Sequence, residues 1–267
     1  MKKLLALLLA VTMLFVLGAT FTACDLLNLG EETTTAGNEG EKPAEKKVLK
    51  MGTNAYFQPY EYYENGKIVG IDAEIAAAIA DKLGMELEIV DMEFDSIITA
   101  VNADSVDFGM AGMTVTEDRL LEVDFSISYA NGVQAIIVKE GSPITCADDL
   151  YADGAAYKVG VQLGTTGDIY ATDDFGADLV TTYSNGNEAV LALLGNSVDC
   201  VIIDNEPAKA LVAANSGLKI LDTEYANEDY AICVKKGNTE LLDAINGAIM
   251  ELTEDGTIAG IVAKYIK

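Results

Sequence analysis

The sequence lacks histidine and has few basic residues, and both features restrict what the protein can do. Without histidine, its 267 residues cannot form a Ser/His or Cys/His nucleophilic device or the usual zinc sites. Lysine and arginine number 17 against 43 acidic residues, so the formal net charge is −26 at pH 7. A folded part this acidic is unsuited to binding nucleic acid or anionic lipid headgroups. We therefore expect no nucleic-acid partner, no metal and no cofactor.

Cysteine is also scarce, with four residues in the chain. Beyond Cys24 the remaining three, Cys146, Cys200 and Cys233, are widely spaced and odd in number. Their connectivity cannot be read from the sequence, so a disulfide between two of them stays open. Cys200 and Cys233 lie in apolar, strand-like runs, where a buried free thiol is the expected state.

The first 24 residues have the pattern of a secretory signal: two lysines, an uncharged apolar run, and small residues before Cys24. The ending "FTAC" resembles the lipobox of bacterial lipoproteins, whose cysteine is lipidated and becomes the mature N-terminus, although Phe21 stands where that family usually has leucine. The resemblance implies a signal peptide over 1–23 and a lipidated Cys24 as the sole membrane attachment. A plain signal peptide or an uncleaved anchor is the alternative, since the run approaches the ~20 residues that span a bilayer.

The segment after Cys24 has the composition of a linker. Residues 25–46 are rich in Gly, Thr, Glu and Lys and show no periodicity, which predicts a flexible tether. About 220 residues remain, enough for one large or two small domains. Half of the residues are apolar, so a chain of this length can bury a sizeable core.

From Val48 onward, strand-like and helical patterns alternate. The run "GIDAEIAAAIADKLG" places Ile71, Ile75 and Ile79 on one helical face, with Gly84 as a C-terminal stop. Strand-like "VLKMGTN" precedes it and "LEIVDM" follows it. This order is typical of βαβ units, and it predicts a largely parallel sheet covered by helices.

The same order of patterns occurs a second time in the chain. "AVNADSVDFGMAG" and "ALLGNSVDCVIID" each combine a helix end, a polar turn, Ser-Val-Asp and an apolar run, 92 residues apart. The repeated context favours two lobes of related design. In open α/β sheets ligands bind beyond the carboxyl ends of the strands, where we expect Gly112 and Asp204 to end one strand in each lobe.

Four stretches in order carry a family resemblance over residues 48–267: "GTNAYFQPYEYYENGKIVGIDAEIAAAIADKLG", "FDSIITAVNADSVDFGMAGMTVTEDRLLEVDFS", "VGVQLGTTG" and "IIDNEP". Together they resemble the extracytoplasmic solute-binding proteins, of the family 3 type, of ABC importers for polar amino acids. The resemblance implies an α/β fold, the two-lobed periplasmic-binding-protein clamshell, in which each lobe is a sheet flanked by helices and two hinge crossings join the lobes. The expected ranges are 47–130 and 231–267 for lobe one, 131–230 for lobe two, and crossings near 129–132 and 229–232.

The function that the resemblance implies is transport rather than catalysis. A monomer anchored outside the cytoplasmic membrane by its lipid would bind a free L-amino acid by hinge closure and deliver it to an ABC permease. One alternative is an enzyme resembling cyclohexadienyl dehydratases, which needs a titratable group with a perturbed pKa beside the pocket. The side-chain end of the expected pocket offers Asn54, Gln162 and Ile203 instead. The other alternative is a sensory protein that acts with a separate signalling partner.

Arg119 is the candidate ligand for the α-carboxylate of the amino acid. Thr116, Glu117 and Asp118 read as a helix start, where a cation loses about 0.3–1 kcal/mol to the helix dipole. The resemblance implies that the arginine of "T-x-x-R" binds the carboxylate, and a bidentate contact worth about 1.5–3 kcal/mol outweighs that cost. The alternatives are an ion pair with Glu122 and a solvated helix start.

Four further positions match family contacts to the α-groups. Thr114 and the backbone of Gly112 match contacts to the carboxylate and ammonium, respectively. Thr165 and Thr166 lie in "LGTTGD", whose strand-to-helix turn has backbone N–H groups suited to an anion. On its own, that turn is an ordinary βα connection.

Asp204 is the candidate partner of the ligand's ammonium group, because its position matches the amine-binding aspartate of the family. It ends the apolar run "CVII", where an unpaired charge is costly. Capping of the following helix is the alternative role. If Pro207 is the first helical residue, the N-cap is Glu206 and Asp204 is free to bind ligand.

Phe57 and Phe94 match the two apolar surfaces between which the ligand side chain lies, and Tyr56 competes with Phe57 for its position. Asn54 stands where binders of basic amino acids carry aspartate, and Ala111 stands where some carry serine. A cationic side chain would thereby lose a partner worth on the order of 1–3 kcal/mol. With Gln162 as a further uncharged contact, the sequence predicts an uncharged polar ligand such as glutamine.

Overall fold

The structure is a computed structural model that describes residues 46–266. The predicted signal peptide, Cys24 and nearly all of the tether lie outside the described residues. The strands are β1 (Val48–Thr53), β2 (Tyr56–Phe57), β3 (Glu61–Glu64), β4 (Lys67–Val69), β5 (Glu86–Asp91), β6 (Phe108–Gly109), β7 (Val123–Phe125), β8 (Ala130–Lys139), β9 (Val159–Gln162), β10 (Val180–Tyr183), β11 (Cys200–Asp204), β12 (Leu218–Ile220), β13 (Ala226–Tyr230) and β14 (Cys233–Lys235). The helices are α1 (Ile71–Lys82), α2 (Ile97–Asn102), α3 (Glu117–Glu122), α4 (Thr166–Phe175), α5 (Gly186–Leu194), α6 (Asn205–Ala214), α7 (Thr239–Glu254) and α8 (Thr257–Tyr265).

Two main sheets form two lobes, which confirms the predicted fold class. The first sheet has the order β5-β1-β6-β14-β7, and the second has the order β10-β9-β11-β8-β12, with β13 also paired to β8. On the first sheet, α1 buries Ile71, Ile75 and Ile79 completely, as the spacing predicts. Gly84 follows the helix with φ +67°, a conformation that glycine adopts without the cost of a Cβ.

Both sheets are mixed, whereas the sequence pattern predicts largely parallel ones. In the first sheet β1 runs parallel to β5 and β6, but β14 is antiparallel to β6 and β7. In the second, β9 is parallel to β10 and β11, but β8 is antiparallel to β11, β12 and β13. The strands β8 and β14 enter from the other lobe without a helical crossover, so nothing forces them to run parallel to their neighbours.

The two crossings between the lobes lie side by side. The chain leaves the first sheet after Phe125 and enters the second at Ala130, and it returns between Tyr230 and Cys233. The strands β8 and β13 pair directly at this point, with Ala130 opposite Tyr230. The Tyr129 amide also donates to the Tyr230 carbonyl at 3.0 Å. Adjacent crossings of this kind allow the lobes to rotate about one axis.

A third sheet of β2, β3 and β4 adds to lobe one and was not predicted. Its second hairpin turns at Asn65 and Gly66, with φ of 51° and 76°. Two successive positive φ values fit the hairpin turns for which Asn-Gly is the strongest short-range signal. This sheet matters for the site because it positions Phe57 and Glu61 opposite one another.

Several structural absences hold for residues 46–266. Cys146, Cys200 and Cys233 are free thiols, and the last two are buried as expected. No helix in this range has the length and apolar character needed to cross a membrane. The same range contains no cluster of side chains suited to holding a metal ion.

Candidate functional site

A cavity lies between the two lobes, and we refer to it as the interlobe cavity. Apolar and polar side chains converge on it, which is typical of small-molecule sites. Both lobes contribute to its lining, and all ten predicted ligand-binding residues are among the lining residues. These are Asn54, Phe57, Glu61, Phe94, Ala111, Gly112, Thr114 and Arg119 from lobe one, and Gln162, Thr165, Thr166 and Asp204 from lobe two.

Arg119 is held at the start of α3 as its sequence predicts. The Thr116 hydroxyl caps the helix and accepts a hydrogen bond from the Arg119 amide at 3.2 Å. The guanidinium donates to the Thr114 carbonyl at 2.6 Å and, across the cleft, to the Gly164 carbonyl at 3.0 Å. It also lies over the Phe94 ring, 5.3 Å from the centroid. The side chain thus connects the two lobes.

The charge of Arg119 has no carboxylate partner within residues 46–266. The residue is 7% exposed, and burial lowers the pKa of its guanidinium. It forms no ion pair with Glu122 or with any other carboxylate in the part of the chain that the structure describes. A buried and unpaired cation is unfavourable, so the site is suited to an anionic group.

Asp204 lies on the opposite side of the interlobe cavity, and the predicted start of the next helix was wrong. Helix α6 begins at Asn205, with Asp204 at the N-cap position and Pro207 third in the helix. Proline is tolerated throughout the first turn, so it need not be the first residue. Asp204 makes no capping bond. Its carboxylate instead accepts hydrogen bonds from Gln134 Nε2 at 2.8 Å and from the Tyr230 hydroxyl.

A buried polar network surrounds Asp204; its members Gln134, Glu228 and Tyr230 were not predicted, whereas Thr166 was. The Gln134 amide also lies 3.0 Å from the Glu228 carboxylate and 3.4 Å from the Thr166 hydroxyl. Burial, with Glu228 as a second cause, raises the pKa of Asp204 to about 7. The local pattern gave no signal for this network, because Gln134, Glu228 and Tyr230 are brought to Asp204 by strand pairing.

The start of α4 faces the interlobe cavity from lobe two. The Thr165 hydroxyl caps this helix by accepting from the Asp168 amide at 3.3 Å, and it donates to the Gln162 carbonyl at 2.8 Å. Among the described residues, the amides of Thr166 and Gly167 have no protein acceptor. A helix N-terminus with unpaired amides attracts anions.

Gly112 lies at the cavity in a backbone conformation that requires glycine. Its φ is +53°, and a Cβ there would lie 2.7 Å from the Phe57 ring. Its amide donates to Asp72 Oδ2 at 2.8 Å. Strand β6 ends at Gly109, so the expectation that Gly112 ends a strand was wrong, since the chain turns away from the sheet earlier.

The apolar side of the cavity distinguishes Phe57 from Tyr56. Phe57 is 8% exposed and stacks on Tyr60, with ring centroids 5.7 Å apart. Tyr56 is 50% exposed and lines a separate surface groove. Of the two competitors, Phe57 is therefore the one that faces the interlobe cavity.

Two amide side chains meet across the cleft. Gln162 Nε2 donates to Asn54 Oδ1 at 3.0 Å, and Asn54 Nδ2 donates to the Met92 carbonyl at 2.8 Å. Ile203, which was expected to line the pocket, is absent from the lining. It packs against Gly186 because successive side chains on β11 point to opposite faces and Asp204 takes the cavity side.

Glu61 is the main cavity residue that the sequence analysis missed. It is fully buried on β3 and lines the interlobe cavity, and neither carboxylate oxygen has a hydrogen-bond partner in residues 46–266. Burial, followed by the charge of nearby Asp72, raises the pKa of Glu61 well above its usual range. The Asn65-Gly66 turn could have revealed the hairpin. No local signal places a glutamate inside it, since glutamate is rarely buried.

Comparison with known proteins gives the family. Residues 49–267 match the bacterial extracellular solute-binding proteins, family 3. The arginine-binding extracellular protein ArtP of Bacillus subtilis (strain 168) is 34% identical, over 99% of this chain and 98% of that protein. A solved ancestral arginine-binding protein bound to arginine has 42% identity and a TM-score of 0.77, over 83% of this chain and 99% of that one. An ancestral arginine-binding protein bound to glutamine has 41% identity, with the same TM-score and coverage. These relatives are named as binding proteins and not as enzymes, and the chain belongs to the bacterial extracellular solute-binding proteins of family 3.

Proposed function

We propose that this protein binds a free L-amino acid with a cationic side chain, with L-arginine as the first candidate, and delivers it to an ABC permease. The observation that carries the choice of side chain is Glu61, a carboxylate that is buried at the interlobe cavity and has no partner among the residues that the structure describes. We further propose that lipidated Cys24 and the tether hold the protein, as a monomer, outside the cytoplasmic membrane. The family's extracellular location supports this placement.

The ligand's α-groups fit the two sides of the cavity. Arg119 and the amides at the start of α4 offer donors for the carboxylate, while Asp204 and the Gly112 carbonyl offer acceptors for the ammonium. A zwitterion therefore gives Arg119 and Asp204 each an opposite charge. Because these two residues come from different lobes, a bound ligand favours the closed arrangement.

The remaining charge supports a cationic side chain. Once Arg119 faces the carboxylate and Asp204 faces the ammonium, Glu61 is the lining carboxylate that is left without an opposite charge. A guanidinium matches a carboxylate with two parallel N–H donors. The names of ArtP and of the ancestral protein point to the same ligand.

Glutamine is the second candidate, and the paired amides of Asn54 and Gln162 favour it. These side chains can donate to and accept from a ligand carboxamide. The glutamine complex of the ancestral protein adds support. The premise that the side-chain end of the pocket lacks a titratable group does not hold, because Glu61 lines the cavity. The prediction of an uncharged ligand from Asn54 and Ala111 thus stays a prediction.

Titration calorimetry with arginine, citrulline and glutamine tests the choice of ligand. Citrulline replaces the guanidinium by a neutral urea group of similar shape and keeps the same α-groups. We expect arginine to bind at least about tenfold more tightly than citrulline, which corresponds to about 1.4 kcal/mol. In Glu61→Gln, which keeps the size of the side chain, that preference should fall to about threefold or less.

Two results would contradict this assignment. If citrulline or glutamine binds the wild-type protein as tightly as arginine does, the assignment of a cationic ligand is contradicted. If Glu61→Gln keeps the same preference for arginine over citrulline, Glu61 does not determine that preference. Absence of binding by all three compounds, after any co-purified ligand has been removed by unfolding and refolding, would contradict the proposed function itself.

A further inference from the structure

Two buried carboxyl groups, Glu61 on β3 and Asp72 on α1, form what we call the carboxyl pair. Both residues are fully buried, and the Asp72 amide donates to the carbonyl of Tyr60, the residue before Glu61, at 2.9 Å. Each carboxyl group acts on the pKa of the other. Three of the four oxygens, Glu61 Oε1 and Oε2 and Asp72 Oδ1, have no other partner within residues 46–266. Two ionised carboxylates this close in a dry environment repel strongly. The carboxyl pair therefore requires one positive charge, either a proton or a cation.

The two members of the carboxyl pair differ in what surrounds them. Asp72 Oδ2 accepts hydrogen bonds from the Gly112 amide at 2.8 Å and from the Tyr129 hydroxyl at 2.7 Å, and both stabilise an ionised carboxylate. Glu61 has no such donors and lines the interlobe cavity, whereas Asp72 does not. The proton thus belongs on Glu61, at the position that a ligand can reach.

We propose that the carboxyl pair holds one proton, which a cationic ligand side chain displaces on binding and which a neutral side chain leaves in place. The inference rests on the proposed function, because the ligand side chain must reach Glu61. The Glu61 O–H bond breaks, its proton passes to water or buffer, and guanidinium N–H groups donate to the freed carboxylate. One positive charge replaces another, so the net charge of the cavity is unchanged.

Within residues 46–266, the groups around the carboxyl pair offer no other cation to replace the proton. The charges that act on Glu61 from neighbouring elements are those of Asp91 at the end of β5 and Asp204 at the end of β11, and both are acidic. Burial raises the pKa of the Tyr60 and Tyr129 hydroxyls, so both stay neutral. Among the residues that line the interlobe cavity, Arg119 is the basic one.

Arg119 does not neutralise the negative charge of the carboxyl pair. Its guanidinium is directed at the carbonyls of Thr114 and Gly164, and it forms no ion pair with either member of the pair.

Burial raises the pKa of Asp72 to about 6, although its hydrogen-bond donors oppose the increase. Because burial and the charge of Asp72 raise the pKa of Glu61 well above its usual range, the pair retains one proton under mildly acidic conditions.

The sign of the pH dependence follows from linkage. A bound guanidinium lowers the pKa of the carboxyl pair, so affinity for arginine rises with pH between the bound and free pKa values, by up to about tenfold per pH unit. A neutral ligand gains nothing from the pair. Asp204 also loses a proton when it binds the ligand's ammonium, but every amino acid shares that contribution.

The test is a proton count by titration calorimetry of the purified full chain, in two buffers of different ionisation enthalpy. The pH is held above the pKa of Asp72, which is about 6, so that Asp72 is ionised and the proton of the pair lies on Glu61. Arginine and citrulline share their α-groups, so the difference between them isolates the side chain. We expect arginine to release about one more proton than citrulline. In Glu61→Gln the excess should vanish, while the release shared by both ligands stays.

The outcomes separate this inference from the proposed function. If arginine binds with the same proton release as citrulline, the inference is overturned and the cationic ligand stands. If arginine does not bind, the proposed ligand is overturned first, and the displaced proton is overturned with it. An excess that persists in Glu61→Gln would place the proton elsewhere. If Glu61→Gln fails to fold, the wild-type difference between arginine and citrulline decides alone.

Discussion

The two lobes share a turn but contribute opposite charges to the interlobe cavity. In lobe one the Asp107 amide donates to the Lys50 carbonyl at 2.9 Å, and the Lys50 amide donates to the Asp107 carboxylate at 2.7 Å. In lobe two Asp199 and Lys158 make the same two bonds, at 2.7 and 2.8 Å. The repeated Ser-Val-Asp sequence thus connects a helix end to β1 in lobe one and to the start of β9 in lobe two in the same way.

The residues just before these aspartates are equally alike. Asp104 and Asn196 have φ of 56° and 59°, a conformation that asparagine and aspartate adopt more readily than most residues. The next amides, of Ser105 and Ser197, donate to the preceding helix at 3.0 and 2.9 Å. The two Ser-Val-Asp segments therefore lie in turns that have the same backbone conformation and the same hydrogen bonds.

The lobes differ where the chain leaves this shared scaffold. Lobe one supplies Arg119 from α3 and Glu61 from the small sheet, whereas lobe two supplies Asp204 and the start of α4. A zwitterion needs opposite charges on opposite sides, so a faithful copy of one lobe would not bind it. The comparison teaches that the turns set the positions of the strands, while segments outside them set the chemistry.

Removal of the lobe-one charge should have the largest effect on binding. Arg119→Ala deletes the proposed charge-assisted contact to the ligand's carboxylate, and we expect affinity for every amino acid that binds to fall by about 10- to 150-fold. Arg119→Lys keeps the charge without the bidentate geometry, so its loss should be intermediate. Calorimetric dissociation constants provide the measurement. Wild-type affinity in Arg119→Ala would show that Arg119 has only a structural role.

Removal of the lobe-two charge should weaken binding less, in a pH-dependent way. Burial raises the pKa of Asp204 to about 7, and the ligand's ammonium favours the ionised form. Affinity of the wild-type protein should therefore fall as pH decreases through about 7, because the proton and the ammonium compete. Asp204→Asn should bind about tenfold more weakly above that pH and lose this dependence. The measurement is the affinity for citrulline as a function of pH. Because its side chain is neutral, citrulline does not displace the proton of the carboxyl pair, so that pair does not contribute to the pH dependence. A wild-type slope retained in Asp204→Asn would assign the titration to another group.

The sequence predicted parts of this comparison and missed others, for physical reasons. Thr116 and the helix face of α1 depend on contacts within a few residues, and their local patterns predicted them. The Ser-Val-Asp turns were also predicted from their local pattern, but the bonds of their aspartates to Lys50 and Lys158 are long-range and were not. The positions of Arg119 and Asp204 at one cavity followed from family resemblance rather than from pattern. Glu61, Gln134 and Glu228 depend on strand pairing between distant segments, which no local pattern encodes.

The shared turn gives the smallest expected effect, and it should be equal in the two lobes. Asp107→Ala and Asp199→Ala each remove one acceptor of a backbone amide at an exposed position, so we expect each to cost about 1 kcal/mol of unfolding free energy in urea. The Asn variant at each position keeps an acceptor oxygen and removes the charge, so it separates the lost hydrogen bond from relief of acidity in a chain of charge −26. The two losses should add in the double variant, because the turns share no partner. Affinity for arginine should stay unchanged. A cost confined to one lobe would mean that the matching hydrogen bonds stabilise the lobes unequally, and a loss of affinity would mean that the turns help to align the charges across the cavity.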